Sequence, residues 1–205
     1  MKTIFILIMV WASGHLYAQE YSPHVKIETQ GDGYISWTSG TIINTTGSTD
    51  IITCAHSTID APNVTEVKVY LFYMQKSATA KFKIHKKSLE HDLILLRSDI
   101  IYKVTPIVIS ERVYEESTEG IGYGYPGNTF ALKENKVNKF NYKSCTTFPN
   151  NYPILLVNGE VLDGMSGGGL LVDNGLVGVQ SSGDKNKNEV HYTPGDQIRK
   201  FIDGE

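Results

Sequence analysis

The chain has 205 residues, with 19 basic and 22 acidic side chains and a net charge of −3. That balance excludes a protein built to neutralise nucleic acid or an anionic membrane surface, which needs an excess of lysine and arginine. Two cysteines are too few for a disulfide scaffold, and the length suits one domain or two small lobes around a real core.

The chain opens with MKTIFILIMVWASGHLYA, in which one lysine precedes an apolar run from Ile4 to Ala12 and small and polar residues lead to Ala18. This is the layout of a secretory signal peptide, so residues 1–18 are expected to be removed and the mature protein to be secreted or periplasmic. The apolar run is roughly half of what a membrane span needs, and no membrane attachment is expected after cleavage. Removal leaves 18 basic against 22 acidic residues, a net charge of −4. Residues 19–32 form an N-terminal segment with room for a short propeptide. Cys54 and Cys145 either pair in an oxidising compartment or stay as buried thiols; spacing does not decide between these. NTT at Asn44 and NVT at Asn63 match the glycosylation pattern.

Beyond this start nearly every stretch reads as a short strand. GYISWTSGTIIN and DIITCAH flank NTTGST, a hairpin signal. EVKVYLFYM alternates, with Val67, Val69, Leu71 and Tyr73 on one face, and TAKFKIHK alternates with Ala80, Phe82 and Ile84 against lysines. HDLILLRS is a nearly continuous apolar run, as expected of a strand buried on both faces, and TPIVIS follows. The polar, acidic stretch at 110–119 reads as a connection between an N-terminal lobe, 33–109, and a C-terminal lobe, 120–205. Strands are expected in GIGYGYPG, TFALKENKVNKFNYKS, YPILLVNG, GGLLV, LVGVQSSG and NEVHYTP, with Asp173-Asn174-Gly175 as a tight hairpin turn. Only PGDQIRKFID has helical character: Pro194 and Asp196 suit a start, and Ile198, Phe201 and Ile202 form an apolar stripe. Many short strands in two groups with a terminal helix indicate an all-β protein of sandwich or barrel type.

Three stretches carry chemistry: TCAHS around His56, HDLILL around Asp92 and GMSGGG around Ser166, separated by 36 and 74 residues. Acyl transfer by a serine needs a base for its proton, an anion that holds the base in one tautomer, and backbone N–H donors for the oxyanion. His, Asp and Ser in this order match one known solution. The glycines fit the same reading, because a tight turn at Gly164-Met165-Ser166 aims the N–H groups of Gly164 and Ser166 at one point. The bland alternatives are a satisfied core histidine, an aspartate capping a strand and a serine that only makes a turn. Their joint occurrence in this order favours the chemical reading. No metal-ligand spacing occurs, and no cofactor is expected.

On these motifs the chain resembles the trypsin/chymotrypsin-like serine peptidases, and more the compact bacterial and viral branch than the disulfide-rich digestive enzymes. The resemblance covers about Gly33 to Ile202. It implies two antiparallel six-stranded β-barrels with a C-terminal α-helix and a site in the cleft between them. It implies Ser166 as nucleophile, His56 as general base, Asp92 as its orienter, and the backbone of Gly164 and Ser166 as oxyanion hole. Ser181, Ser182 and Gly183 would pair with the substrate backbone as an added strand. Met165 stands where the digestive enzymes carry an aspartate that pairs with a new N-terminus, so activation by that ion pair is not expected. Gly169 replaces a proline common after SGG.

The implied activity is a secreted serine endopeptidase, a monomer acting on protein or peptide substrates. The competing reading is a binding module that kept the fold and lost the chemistry. For specificity, Glu160 at the base of the first pocket would favour a basic side chain before the cut. With a shifted loop, Val161 and Leu162 would instead shape a smaller apolar pocket. His191 is a further candidate for the pocket lining, and Gln180 stands where glutamate-preferring relatives place a histidine.

Overall fold

The structure, a computed structural model, describes residues 21–31, 33–58, 63–73, 76–144 and 153–204. The expected signal peptide and Cys145 lie outside these residues. Thirteen strands and one helix are described: β1 (His24–Gly31), β2 (Tyr34–Asn44), β3 (Thr49–Thr53), β4 (Val64–Tyr73), β5 (Lys76–Lys81), β6 (Lys83–Ser88), β7 (Leu93–Ser98), β8 (Gly120–Gly124), β9 (Lys133–Ser144), β10 (Pro153–Asn158), β11 (Gly169–Val172), β12 (Gly175–Asp184), β13 (Glu189–Pro194) and α1 (Gly195–Asp203).

The C-terminal half is the expected closed barrel of six antiparallel strands, in the order β10-β13-β12-β11-β8-β9. The N-terminal half is not a closed six-stranded barrel. It is a seven-stranded sheet, β5-β4-β1-β2-β3-β7-β6. The physical reason lies at Phe82. The run TAKFKIHK, which reads as one strand, divides there into β5, paired with β4, and β6, paired with β7. The two edges of the sheet are therefore joined by the chain at one buried aromatic residue instead of by a ladder. Beyond it the alternation lapses, since Ala80 and Phe82 are buried while Ile84 is exposed. TPIVIS also differs from expectation: it makes one isolated parallel bridge, Ile109 to Leu176, and no strand.

β1 lies inside the segment with room for a propeptide, and nothing in its local pattern reads as a strand. It runs between β2 and β4 and is buried on both faces. Only Val25 and Ile27 supply apolar signal there; His24, Lys26 and Glu28 are polar yet buried. Within the sheet, Val25, Ile27, Ile42, Ile51, Val69 and Leu71 build one core, and Leu155, Val157, Leu170, Val177 and Tyr192 fill the barrel. A third cluster joins the halves: Ile52, Leu93 and Leu95 meet Leu176 and Val179, with Ile198 and Phe201 of α1 packed on them. A nine-residue helix is marginal alone. Burial of Ile198 and Phe201, each worth roughly 1.5–3 kcal/mol, fastens α1 to both halves. The turn between β11 and β12 has Asp173 and Asn174 at φ of 49° and 62°, the left-handed pair that an Asp-Asn-Gly hairpin supplies.

His24 makes the fold acid-sensitive. It stacks on Tyr123 with ring centroids 4.3 Å apart, and its buried Nδ1 has no partner among the described residues. Desolvation lowers its pKa from 6.5 to about 4. The unfolded chain therefore takes a proton from pH 6.5 downward, while the folded protein resists it until about pH 4. Stability contributed by neutral His24 is complete above pH 6.5 and drains as pH falls through this window, by about 3 kcal/mol in all. Urea unfolding at a series of pH values should show this slope, and His24→Phe should flatten it. An unchanged slope in the variant would remove His24 as the cause.

Candidate active site

β3 delivers the chain through Cys54 and Ala55 into a single 3-10 turn, His56–Thr58. The hydroxyls of Ser57 and Thr58 donate to the carbonyls of Cys54 and Ala55, at 3.1 and 2.8 Å, and lock that turn. Asp92 stands immediately before β7 with φ of 51°, in the left-handed region. Its carboxylate is buried and well satisfied. Oδ1 accepts the N–H groups of Ala55 at 2.9 Å and His56 at 2.7 Å. Oδ2 lies 2.8 Å from His56 Nδ1. A carboxylate in this position accepts the Nδ1 proton and leaves Nε2 to act as acceptor.

Nε2 of His56 faces the sulfur of Cys54 at 3.6 Å. Burial works to lower the His56 pKa, but the contact with the Cys54 sulfur and the hydrogen bond and charge of Asp92 outweigh it and hold His56 above its ordinary value. Cys54 is itself a buried free thiol. No hydrogen bond joins Nε2 to Ser166 Oγ. Hydrogen bonds of catalysis commonly tighten only when substrate is bound.

The serine-bearing turn is held from both halves. Ser39 of β2 grips it twice, its N–H donating to the Ser166 carbonyl (2.8 Å) and its Oγ to the Gly164 carbonyl (2.9 Å), and the same Oγ accepts the N–H of Tyr125 (2.8 Å), which follows β8. On the other side, Gly167 N–H donates to the Gln180 carbonyl at 2.7 Å, and Gln180 N–H donates to the Gly168 carbonyl at 2.9 Å. Gly167, at φ of 82°, sits so close to the β2–β3 pair that a Cβ would lie 2.2 Å from Thr53 Oγ1 and 2.3 Å from the Ser39 carbonyl. Gly164, at φ of 86°, would place a Cβ 2.4 Å from the Gly127 nitrogen. These two glycines let the turn approach the N-terminal sheet and the neighbouring loop. Ser166 is half-buried, and the N–H groups of Gly164 and Ser166 have no partner among the described residues. The arrangement can present a hydroxyl and two backbone donors beside an imidazole that a carboxylate orients.

The remaining predicted residues fall around the edge of β12. Ser181 occupies a bulge in the β12–β13 ladder and donates to the His191 carbonyl at 3.2 Å. Ser182 Oγ lies 2.9 Å from His191 Nδ1, whose other nitrogen is 3.2 Å from Glu189. Gly183 is covered by Val161, whose methyls lie 2.7 and 2.8 Å from where a Cβ would stand. The Glu160 carboxylate is more than half exposed and pairs with Lys133 at 3.2 Å. Its backbone is braced by Asn135, which donates to the Glu160 carbonyl and accepts the Glu160 N–H.

Sequence reasoning missed Ser39, because its partner carbonyl is 125 positions away and no local pattern points to it. Cys54 was visible two residues before His56, but not the direction of its side chain. Among the described residues no group of three or more His, Cys, Asp or Glu side chains is placed to hold a metal ion, and no helix is long and apolar enough to cross a membrane.

Comparison with known proteins agrees with this architecture. The family model described as trypsin-like peptidase domain matches residues 38–179. No curated protein matches the sequence of the chain. Among solved structures, the active form of the Rv3671c protease from M. tuberculosis superposes with a TM-score of 0.72 at 16% identity, over 88% of this chain and 79% of that one. Deg5 superposes with a TM-score of 0.70 at 17% identity, over 87% and 86%. The HtrA-type protease AlgW with a tripeptide gives 0.72 at 15%, over 91% of this chain and 60% of that one. At these identities the likeness is one of fold. The family match covers well over half of the sequence, and on it the chain belongs to the trypsin-like peptidases.

Proposed function

We propose that the protein is a secreted serine endopeptidase that works through Ser166, His56 and Asp92 without a cofactor. One observation carries the reading: a turn whose Gly164 and Ser166 N–H groups have no partner among the described residues packs, at Gly167, against the end of β3 that leads into His56, whose Nδ1 is held by a buried carboxylate at 2.8 Å. When a peptide binds, Ser166 Oγ attacks the scissile carbonyl carbon and His56 Nε2 takes the hydroxyl proton. The two N–H groups receive the charge that develops on the carbonyl oxygen. His56 then returns the proton to the leaving amine, and water repeats the sequence on the acyl-enzyme. Neutral His56 is needed for the first step, and the Cys54 contact opposes it. Substrate must therefore draw the ring from the sulfur toward Ser166.

Specificity follows from the edge of β12. Because the Glu160 carboxylate is already paired with Lys133, it offers little to a basic side chain. Val161 lying over Gly183 leaves a shallow apolar subsite, which suits a small apolar residue before the cut. The signal-peptide-like layout of residues 1–18 supports action outside the cytoplasm.

A non-catalytic binding module is the second reading, and the Nε2–Cys54 contact is the observation on its side. Labelling of the mature protein with a fluorophosphonate, with the adduct located by mass spectrometry, separates the two. The peptidase reading expects a stoichiometric adduct on Ser166 that is lost in His56→Ala. Well-folded protein with no adduct would leave the binding module.

A further inference from the structure

We propose that Lys26 is a positioning residue for the oxyanion hole, an internal cation that sets the orientation of the Asp163–Gly164 peptide. The inference rests on the peptidase reading above. Lys26 lies in the middle of β1 and is fully buried. Its ammonium donates to the carbonyls of Gly127, at 2.7 Å, and Thr129, at 2.5 Å. It also sits over the rings of Trp37, 4.8 Å from the centroid, and Phe130, 5.1 Å. It has no carboxylate partner among the described residues. A buried ammonium without a counter-ion persists only where its surroundings supply carbonyl and ring-face dipoles. Here all of them except Trp37 come from one loop, 126–130, in the other half of the molecule.

That loop touches the turn. Gly127 N–H donates to the Asp163 carbonyl at 2.6 Å, and the backbone of Gly127 closes on Gly164 too tightly for a Cβ. The Asp163 carbonyl and the Gly164 N–H belong to one planar trans peptide and point in opposite directions. Holding the carbonyl against Gly127 therefore turns the Gly164 N–H the other way, toward the cleft. A flipped peptide would present a carbonyl to the developing oxyanion instead of a donor. The ladder pairs Lys26 with Ser39, so the two side chains leave the same face of the β1–β2 pair. Ser39 fixes the Gly164 carbonyl while Lys26 fixes the loop behind Asp163. With Met165 in place of an aspartate next to the serine, order in this turn comes from a lysine built into the sheet, and needs no new chain terminus.

The test compares Lys26→Met, Lys26→Arg and, as a control in the same sheet, Asp50→Asn, whose partners Arg97, Asn44 and Ser48 all belong to the N-terminal half. Readouts are the fluorophosphonate labelling rate, kcat and KM on a peptide, the unfolding midpoint and amide exchange at Gly127 and Gly164. Lys26→Met is expected to lose about tenfold to a hundredfold in kcat and labelling rate, somewhat less than removal of an oxyanion donor, with KM within about threefold. Exchange at Gly127 should quicken, and Lys26→Arg should recover part of the rate. Asp50→Asn should lose stability without losing kcat. A folded Lys26→Met protein with wild-type kcat and labelling, or one whose losses merely track stability as in the control, overturns the proposal. Should Lys26→Met fail to fold, Phe130→Ala, at a half-exposed site, removes one ring face; it must lower kcat and quicken Gly127 exchange, and unchanged values overturn the proposal. Wild-type protein that neither labels nor turns over would instead refute the peptidase reading, and Gly127 exchange would still decide whether Lys26 holds the loop.

Discussion

Replacing Ser166 by alanine is expected to remove turnover by about six decades while leaving the fold intact. Losses of that size are typical for a nucleophile that acts as one unit with its base. The residual rate, about three to four decades above water, comes from binding and the oxyanion donors that remain. Stability should change by less than about 0.5 kcal/mol, because the half-buried hydroxyl makes no hydrogen bond among the described residues. The turn is held through the Ser166 carbonyl, which accepts from Ser39 N–H whatever the side chain. The check is kcat/KM on a peptide library together with the urea midpoint, on protein freed of host peptidases. Turnover that survives in Ser166→Ala would end the assignment of the nucleophile.

Asp92→Asn is expected to cost about four decades in kcat with the protein still folded. Asparagine tolerates the left-handed backbone that Asp92 adopts at φ of 51°. Its oxygen can keep the two bonds from the N–H groups of Ala55 and His56. Its amide nitrogen then faces His56 Nδ1 and donates to it, which drives the ring proton onto Nε2. A protonated Nε2 cannot accept the Ser166 hydroxyl proton. Turning the amide over places its NH2 against two N–H donors and costs the fold instead. Nitrogen-15 NMR of His56 should report the exchanged tautomer, and the rate should fall while the unfolding midpoint holds. Full activity in a folded Asp92→Asn protein would mean that the carboxylate does not set the tautomer.

The legible parts of this protein were those written in consecutive residues. The alternation of Val67, Val69 and Leu71, the continuous apolar run of β7, the Asp-Asn-Gly turn and the stripe of α1 each need only local chain to be read. The ordered His56, Asp92 and Ser166 motifs were visible for the same reason. β1 was not, because both of its faces are buried while most of its residues are polar, and its alternation ends after the two apolar positions Val25 and Ile27. The division at Phe82 was hidden because both halves keep the same strand composition and differ only in the partner each finds. The ion pair of Glu160 with Lys133, 27 positions earlier in sequence, comes from the pairing of β9 with β10 and has no local signal either.

The sequence by itself determined the all-β class, the order of the strands that carry His56, Asp92 and Ser166, and the glycine positions that permit a strained turn. Those are consequences of side-chain period and of backbone freedom, both local properties. The tertiary structure alone decided that the first sheet closes through a bend and not a ladder, that Cys54 meets the imidazole, and that Ser39 grips the serine turn and Lys26 the loop behind it, each more than 100 positions away. Those contacts depend on where two separately folded sheets face each other, and no periodicity along the chain encodes that distance.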